Sequence, residues 1–373
     1  MAGIYIHIPF CKQACHYCDF HFSTSLAYKD DLIQALFKEI SLQKDYLKGE
    51  TIETIYFGGG TPSLLKADEI TLIIDSIAKS HQVASDAEIT LEANPDDLDQ
   101  LKVRELSRTP INRFSIGIQS FFDEDLAWMN RAHRAEEAES SVKRVQDAGF
   151  ENITADLIYG YPLLTDAKWK ANINKLIALQ IPHISAYSMT VEPRTALASF
   201  IKKKAQPPMN EEQSAEQFLY LMDITQQQGF EHYEISNFCK PGHYSRHNTN
   251  YWKGVKYLGI GPSAHSYNEE SRQWNIANNA KYIQSISKGD IPAETEVLSE
   301  TNRLNEYIMT CLRTIWGLDL EKLNSIAAGA SDILLKSAEE FFDKRWITQE
   351  AGIIYLTSTG KLYADHIASE LFF

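Results

Sequence analysis

Residues 3–18 read GIYIHIPFCKQACHYC, a short run of β-branched and aromatic residues followed by three cysteines. The first half predicts a β-strand. The spacing Cys11-x3-Cys15-x2-Cys18 then places three thiols on one loop at the end of that strand. Three thiolates can hold three irons of a [4Fe–4S] cluster and leave the fourth iron open to a ligand.

The same cysteines allow two other interpretations. His16 or His21 could complete a structural zinc site, which needs four ligands, and the thiols could also simply be buried in a core. Cys239 and Cys311 lie far downstream and are expected to be unliganded core residues.

Strands and helices alternate regularly after this first strand. The predicted strands lie at residues 3–8, 52–57, 87–92, 113–118, 152–158 and 183–189, each followed by a helical pattern. Such alternation predicts an α/β fold with a parallel sheet and helical crossovers. Periodicity alone does not separate a doubly wound sheet from a partial barrel.

Composition limits the classes of protein that the chain can belong to. Of 373 residues, 44% are hydrophobic and 23% are charged, and 50 acidic residues against 36 basic ones give a net charge of -14. These values exclude a disordered chain and disfavour a general nucleic-acid binder, which carries a basic surface. No signal peptide and no apolar run of about 20 residues stands out, so we expect a cytoplasmic protein without a membrane span.

The pattern changes in the last third of the chain. Residues 231–275 are rich in His, Tyr, Asn and Gly, and from residue 276 helices and one hairpin predominate. We therefore expect three parts: a core at 1–230, a linking segment at 231–275, and a mainly helical, winged-helix-like domain at 276–373. Few basic residues lie on its last helix, so we expect a packing role for this domain rather than DNA binding.

Polar residues and glycines follow several predicted strands. Gly58-Gly59-Gly60 ends the second strand, and consecutive glycines let a backbone approach a ligand closely. Glu92, Gln119 and Asp156 lie at or near the ends of the third, fourth and fifth strands, and Tyr187 near the end of the sixth. The carboxyl ends of parallel strands form the functional face of an α/β barrel, so we expect these residues to surround one site.

Several short motifs together resemble the radical S-adenosylmethionine (SAM) superfamily. Beside the cysteine loop they are GGTP at 59–62, LEANP at 91–95, SIGIQS at 115–120, DLIYGYP at 156–162 and YLGIGPSAHS at 257–266. This set is similar to the oxygen-independent coproporphyrinogen III oxidase branch of that superfamily. The resemblance implies an incomplete (β/α)6 barrel that holds a [4Fe–4S] cluster and SAM.

The resemblance also implies roles for individual residues. Cys11, Cys15 and Cys18 match the cluster ligands. Tyr5, Gly59 and Glu92 match positions that contact the SAM on the cluster, with Glu92 at the position that holds its amino group. A second group matches positions around a second SAM in the oxidase: Tyr17, Gly60, Thr61, Gln119, Arg131 and Asp156.

Three features depart from the oxidase and favour its haem-chaperone relatives, the HemW group. Phe20 stands where the oxidase has a further cysteine, and the first strand starts at residue 3, without the oxidase's long extension. Residues 247–252 read HNTNYW, which resembles the HNxxYW signature of the chaperones. The expected function is therefore binding of haem and its transfer to an acceptor protein. Radical decarboxylation of coproporphyrinogen III is the alternative.

His247 is the leading candidate for an axial haem ligand, because neutral imidazole commonly binds haem iron. The rival histidines are His16, His21, His243 and His265. The aromatic residues of the HNTNYW motif either pack against the porphyrin or anchor their segment on the barrel. The expected partners are haem, an unidentified acceptor and an electron donor, without nucleic acid; peripheral contact with a membrane is left open.

Overall fold

The computed structural model describes all residues, 1–373, and begins with the predicted alternation of strands and helices. Its first six strands are parallel and lie side by side in chain order. These strands are β1 Ala2–Ile8, β2 Ile52–Gly59, β3 Val83–Ala93, β4 Arg113–Gln119, β5 Ile153–Tyr159 and β6 His183–Ser188. The helices between and after them are α1 Lys29–Leu42, α2 Ala67–Ser80, α3 Gln100–Leu106, α4 Asp123–Trp128, α5 Ala135–Asp147, α6 Asp166–Ala178, α7 Ala196–Lys202 and α8 Glu211–Gln227.

The sheet continues beyond both edges of this set instead of closing on itself. The next elements are β7 Glu231–Glu234, β8 Asn237–Cys239, α9 Arg246–Trp252, β9 Lys256–Ile260, β10 His265–Tyr267, β11 Ser271–Asn275, α10 Asn279–Lys288 and β12 Ala293–Val297. β6 pairs with β8, and β1 pairs with β9 rather than with β6. The incomplete six-unit barrel is therefore confirmed. The sequence did not predict β9, a short seventh parallel strand without a crossover helix of its own.

Polar and apolar residues alternate along the barrel strands. On β3, Ile89 and Leu91 belong to the main hydrophobic core, whereas Glu88, Thr90 and Glu92 alternate with them. Successive side chains of a strand point to opposite faces of the sheet. The apolar face therefore packs under the helices, and the other face lines the barrel interior with polar groups.

Helix α9 closes the end of the barrel at which the strands begin. The imidazole Nδ1 of His247 lies 2.8 Å from the hydroxyl of Thr54 on β2. The Glu88 carboxylate accepts hydrogen bonds from the backbone N–H groups of Arg246, at 3.1 Å, and His247, at 3.0 Å. A negative charge at the first turn of a helix stabilises it, so these contacts hold α9 as the floor of the interior.

A second hydrophobic cluster, which extends from Leu304 to Leu371, organises the end of the chain. Its elements are α11 Glu300–Leu312, β13 Leu318–Asp319, α12 Leu320–Ile326, α13 Ala330–Ser337, α14 Glu339–Asp343, β14 Ile347–Glu350, β15 Ile353–Leu356 and α15 Ala364–Glu370. Helices therefore predominate around a small sheet of order β13-β15-β14. Because α10 packs on α1 and β12 joins the large sheet, residues 279–297 lie with the barrel. The division of the chain at 230 and 275 stays a prediction.

No helix of the chain combines the length and the apolar character that crossing a bilayer requires.

Candidate functional site

A cavity of about 420 Å³ opens where the barrel strands end. It brings together all the predicted site residues except Tyr5 and His247. Those that line it are Cys11, Cys15, Tyr17, Cys18, Gly59, Gly60, Thr61, Glu92, Gln119, Arg131 and Asp156. These residues therefore do surround one site at the strand ends, as expected from the sequence. The ligands that they bind stay a prediction.

The three clustered cysteines are free and half-buried on one wall of this cavity. Burial raises the pKa of the Cys18 thiol to about 12 and also raises the pKa of Cys11. Without a cation these two thiols therefore stay protonated at neutral pH. A bound metal would release their protons, since the thiolate is the form that ligates.

The zinc interpretation needs a fourth ligand, and both candidate histidines make other contacts. The Nδ1 of His16 donates to the Trp128 carbonyl at 2.9 Å, and the Nε2 of His21 lies 2.7 Å from the Asn279 side-chain oxygen. No three His, Cys, Asp or Glu side chains of the chain are arranged to hold a single metal ion. A [4Fe–4S] cluster binds each thiolate through a different iron, so three separated thiols on one loop fit it better.

The glycines at the end of β2 line the cavity and are also required by close packing. Gly59 has a φ of +104°, and a β-carbon there would lie 2.5 Å from the His7 ring. A β-carbon on Gly60 would lie 2.7 Å from the carbonyl oxygen of Phe10 and 2.8 Å from that of Ile8. The end of β2 therefore lies directly against the segment that leads from β1 into the cysteine loop.

We predict that Gly60→Val displaces the cysteine loop and so lowers both the iron content and the SAM affinity. The valine would collide with backbone atoms, which do not move aside as a side chain does, and overpacking of this kind costs about 1–3 kcal/mol. Iron per chain after anaerobic reconstitution measures the effect. Gly149→Ala controls for instability alone, since Gly149 has a φ of +91° and no neighbour within 4 Å of its added carbon. Equal iron in Gly60→Val and wild type would contradict the prediction.

Two carboxylates, Glu92 and Asp156, also line the cavity. The Tyr56 hydroxyl donates to Glu92 at 2.8 Å, and the Ser115 hydroxyl lies 3.3 Å from both carboxylate oxygens of Asp156. Burial raises the pKa of Glu92 to about 7 and that of Asp156 to about 6, and the negative charge of Asp156 contributes to the rise at Glu92. A cation placed between these groups would be held by charge as well as by hydrogen bonds.

Arg131 supplies the positive charge of the site. One terminal nitrogen of its guanidinium donates to the Asn94 side-chain oxygen at 2.6 Å and to the Gly117 carbonyl at 2.8 Å. The other terminal nitrogen lies 3.6 Å from the Cys15 sulfur. The Nε of Arg131 is buried without a hydrogen-bond partner. Buried donors are nearly always satisfied, so this orphaned N–H fits a site that holds an anionic or polar ligand.

Tyr5 and His247 lie deeper in the barrel than the cavity. The Tyr5 hydroxyl lies 3.2 Å from Nδ1 of His7, and burial raises the pKa of Tyr5. The His247 ring is 2% exposed and stacks on Tyr56 at 5.0 Å between centroids. Its Nδ1 contacts Thr54 and its Nε2 lies 2.8 Å from the Tyr251 hydroxyl, so both nitrogens are engaged.

The aromatic residues of the HNTNYW motif anchor α9 in this structure. Tyr251 packs edge-on against Tyr257 at 4.6 Å, inside the fold. The Trp252 ring lies 5.3 Å from the guanidinium of Arg313, which follows α11. Of the two roles considered for these aromatics, the geometry matches anchoring.

The sequence reasoning missed several residues of the site. Tyr56 and Ser115 orient the two carboxylates, and Asn94 links Arg131 to the Thr61 hydroxyl, which its amide contacts at 3.1 Å. A signal was available in the alternation of polar and apolar residues along each strand, which assigns Tyr56 and Ser115 to the interior face.

Comparisons with known proteins place the chain in a family. The Radical SAM superfamily profile matches residues 5–176. The haem chaperone HemW of Bacillus subtilis (strain 168) is 33% identical over 371 residues, or 98% of each chain. HemW of Escherichia coli (strain K12) is 30% identical over 380 residues, or 99% of this chain and 97% of the relative.

A solved structure shows the same fold. It is described as coproporphyrinogen III oxidase (HemN) from Escherichia coli, a radical SAM enzyme, and matches with a TM-score of 0.87. The match covers 100% of this chain and 90% of that one, at 21% identity. By fold and by sequence, the chain belongs to the radical SAM superfamily and, within it, to the family of the haem chaperone HemW.

Proposed function

We propose that the protein is a haem chaperone that binds haem and passes it to an acceptor protein, and that it carries a [4Fe–4S] cluster and SAM. The observation that carries the proposal is the similarity to HemW over almost the whole of both chains, including the C-terminal part. The acceptor and the electron donor are proposed as further partners. The cytoplasm is the proposed compartment, because free cysteines suit a reducing environment.

The cavity supports the two cofactors of the proposal. Cys11, Cys15 and Cys18 would hold the cluster, and Glu92 would pair with the amino group of SAM. The Nε of Arg131, which has no hydrogen-bond partner, would donate to a carboxylate of the same ligand or of a second SAM. When bound, the cluster and SAM together supply one-electron chemistry.

Phe20 separates this site from that of the oxidase alternative. It lines the cavity two residues after the last cysteine and is 67% exposed. The resemblance places a cysteine of the oxidase at this position, so the chain lacks that thiol. An exposed aromatic ring beside the cluster loop suits contact with an apolar ligand better than acid–base or thiol chemistry.

The test is a haem titration and a product analysis on the same anaerobically reconstituted sample. We expect a Soret band that saturates near one haem per chain, and no protoporphyrinogen from coproporphyrinogen, SAM and a reductant. Catalytic formation of protoporphyrinogen would replace the proposal by the oxidase alternative. Absence of any saturable haem binding would also overturn it.

The proposal that His247 ligates haem requires α9 to move, since Thr54 and Tyr251 occupy both ring nitrogens. We predict that Tyr251→Phe strengthens haem binding about fivefold if Nε2 is the ligating atom. The variant removes one hydrogen bond, worth about 1 kcal/mol, that haem would have to break. The Soret titration measures this change, and thermal unfolding reports any loss of stability.

His247→Ala is the companion variant. Loss of haem binding in a folded His247→Ala protein, together with tighter binding in Tyr251→Phe, supports His247 as ligand. Unchanged affinity in both variants would remove His247 from the ligand set and leave its role as an anchor of α9.

A further inference from the structure

The cysteine loop lies on residues 128–131, which comprise the last residue of α4 and the first part of the connection to α5 and which we call the docking turn. The backbone N–H of His16 donates to the Met129 carbonyl at 3.0 Å, and the His16 ring donates to the Trp128 carbonyl at 2.9 Å. The Asn130 amide donates to the Ala14 carbonyl at 2.6 Å. Three hydrogen bonds therefore flank Cys15, the middle cysteine, on both sides.

Asn130 is suited to this position by its backbone as well as its side chain. Its φ is +59°, in the left-handed region where Asn is tolerated better than most residues with a side chain. Its side-chain oxygen accepts from the Gln13 amide at 2.5 Å, while its nitrogen donates to Ala14. One side chain thus fixes two consecutive residues of the cysteine loop.

The docking turn is itself held rigidly. Asp125 of α4 is fully buried and accepts from the Ser120 hydroxyl at 3.0 Å, the Tyr161 hydroxyl at 2.9 Å and the Lys168 ammonium at 2.8 Å. Each of these partners lies outside α4, on the segments after β4 and β5 and on α6. Helix α4 is therefore anchored, and the docking turn that follows it offers a fixed surface to the cysteine loop.

Arg131 is the last residue of the docking turn. One terminal nitrogen of its positively charged guanidinium lies 3.6 Å from the Cys15 sulfur. Its other terminal nitrogen is bound to Asn94 and Gly117, so the guanidinium cannot rotate away from the cysteine. Reduction of an iron–sulfur cluster adds negative charge, and hydrogen bonds and positive charge at the ligating sulfurs stabilise that state.

We propose that the docking turn positions Cys15 and that Arg131, through this sulfur, raises the reduction potential of the cluster. Asn130 and Arg131 are positioning residues here, since they act through the cysteine loop. The inference rests on the cluster part of the proposed function and is independent of haem transfer.

The first test is a spectroscopic redox titration of the reconstituted cluster in wild type, Arg131→Gln and Arg131→Lys. We expect a lower midpoint potential in Arg131→Gln and a smaller decrease in Arg131→Lys, which keeps the charge but not the planar fork. Arg134→Gln is the matched control. Arg134 is exposed, and this substitution removes the same positive charge three residues further along the chain. Its potential is expected to equal that of wild type.

The second test measures the rate at which a ferrous-iron chelator removes the cluster. Asn130→Gly keeps a residue that accepts positive φ but removes both side-chain hydrogen bonds, so it separates the contacts from backbone strain. We expect loss of iron to be about tenfold faster than in wild type, because the hydrogen bonds to Gln13 and Ala14 are lost.

Failure of the inference is distinguishable from failure of the proposed function. A wild-type protein that takes up no iron and sulfide overturns both. A full cluster whose potential is unchanged in both Arg131 variants, and whose chelation rate is unchanged in Asn130→Gly, overturns only the inference. If Arg131→Gln does not assemble a cluster, the midpoint potential of Arg131→Lys is compared with that of wild type. A lower potential supports the inference, and an equal potential overturns it.

Discussion

Serine in place of Cys15 is expected to abolish the iron–sulfur cluster. Wild type should reconstitute to about four irons and four sulfides per chain, as one [4Fe–4S] cluster requires. A serine hydroxyl is a poor substitute for a thiolate as an iron ligand. The substitution also removes the contact between Arg131 and the Cys15 sulfur. Iron and sulfide analysis and the visible absorbance of the cluster measure the result, and Cys11→Ser and Cys18→Ser should behave alike.

Two cysteines of the same chain are the controls. Cys239 is fully buried on β8, and Cys311 lies on α11 in the second hydrophobic cluster, so neither lies in the cavity. Serine at either position should leave a full cluster. A full cluster in Cys15→Ser would disprove the ligand assignment, and so would a stoichiometric zinc that excludes iron from wild type.

The sequence was most informative where local pattern and position in the fold coincide. The barrel strands and their helices follow from periodicity, because apolar side chains on one face of each element must pack against the next. The cysteine spacing and the strand-end residues Glu92 and Asp156 could be assigned to one cavity, since the topology of parallel strands brings their ends together.

The hairpin of β14 and β15 follows the sequence pattern, but the short strands between residues 231 and 297 could not be predicted in the same way. β7, β8, β10 and β12 are only three to five residues long, and they join the large sheet through β6 at one edge and through β9 and β11 at the other. So short a run has no distinct period, and its conformation depends on a partner strand that the local sequence does not reveal. β9 reads KYLGI, and its pairing with β1 depends on the whole barrel being formed.

His247 shows why a motif is a weaker guide than its environment. The HNTNYW pattern drew attention to an imidazole and two aromatic rings as a group that could meet a porphyrin. The fold places the imidazole between Thr54 and Tyr251, where burial lowers its pKa to about 3, and its role as a haem ligand stays a prediction. Side-chain burial depends on which helix closes the barrel, and that is a tertiary property that spacing along the chain does not contain.

Glu92→Gln is expected to weaken SAM binding and to remove its dependence on pH. A hydrogen bond to a charged group contributes about 1.5–3 kcal/mol, so we expect a loss of about 10- to 100-fold in affinity at pH 8. Burial raises the pKa of Glu92 to about 7. Wild type must lose a proton to bind the ammonium of SAM, and its affinity should fall about tenfold per pH unit below pH 7. Equilibrium dialysis at several pH values measures both effects.

The unliganded protein gives a second measurement of the same carboxylate. The folded-state pKa of about 7 exceeds the ordinary value of 4.5. The folded state therefore binds more protons between these values, and stability is lost as the pH rises through 7. Because glutamine still accepts from Tyr56 and carries no charge, Glu92→Gln should be more stable than wild type at pH 8, by about 3 kcal/mol, and nearly equal to it at pH 4. Glu105→Gln, on the exposed face of α3, should change neither SAM affinity nor stability. If Glu92→Gln is less stable at pH 8 and binds SAM as well as wild type, the carboxylate is a structural hydrogen-bond acceptor and the SAM assignment of Glu92 is wrong.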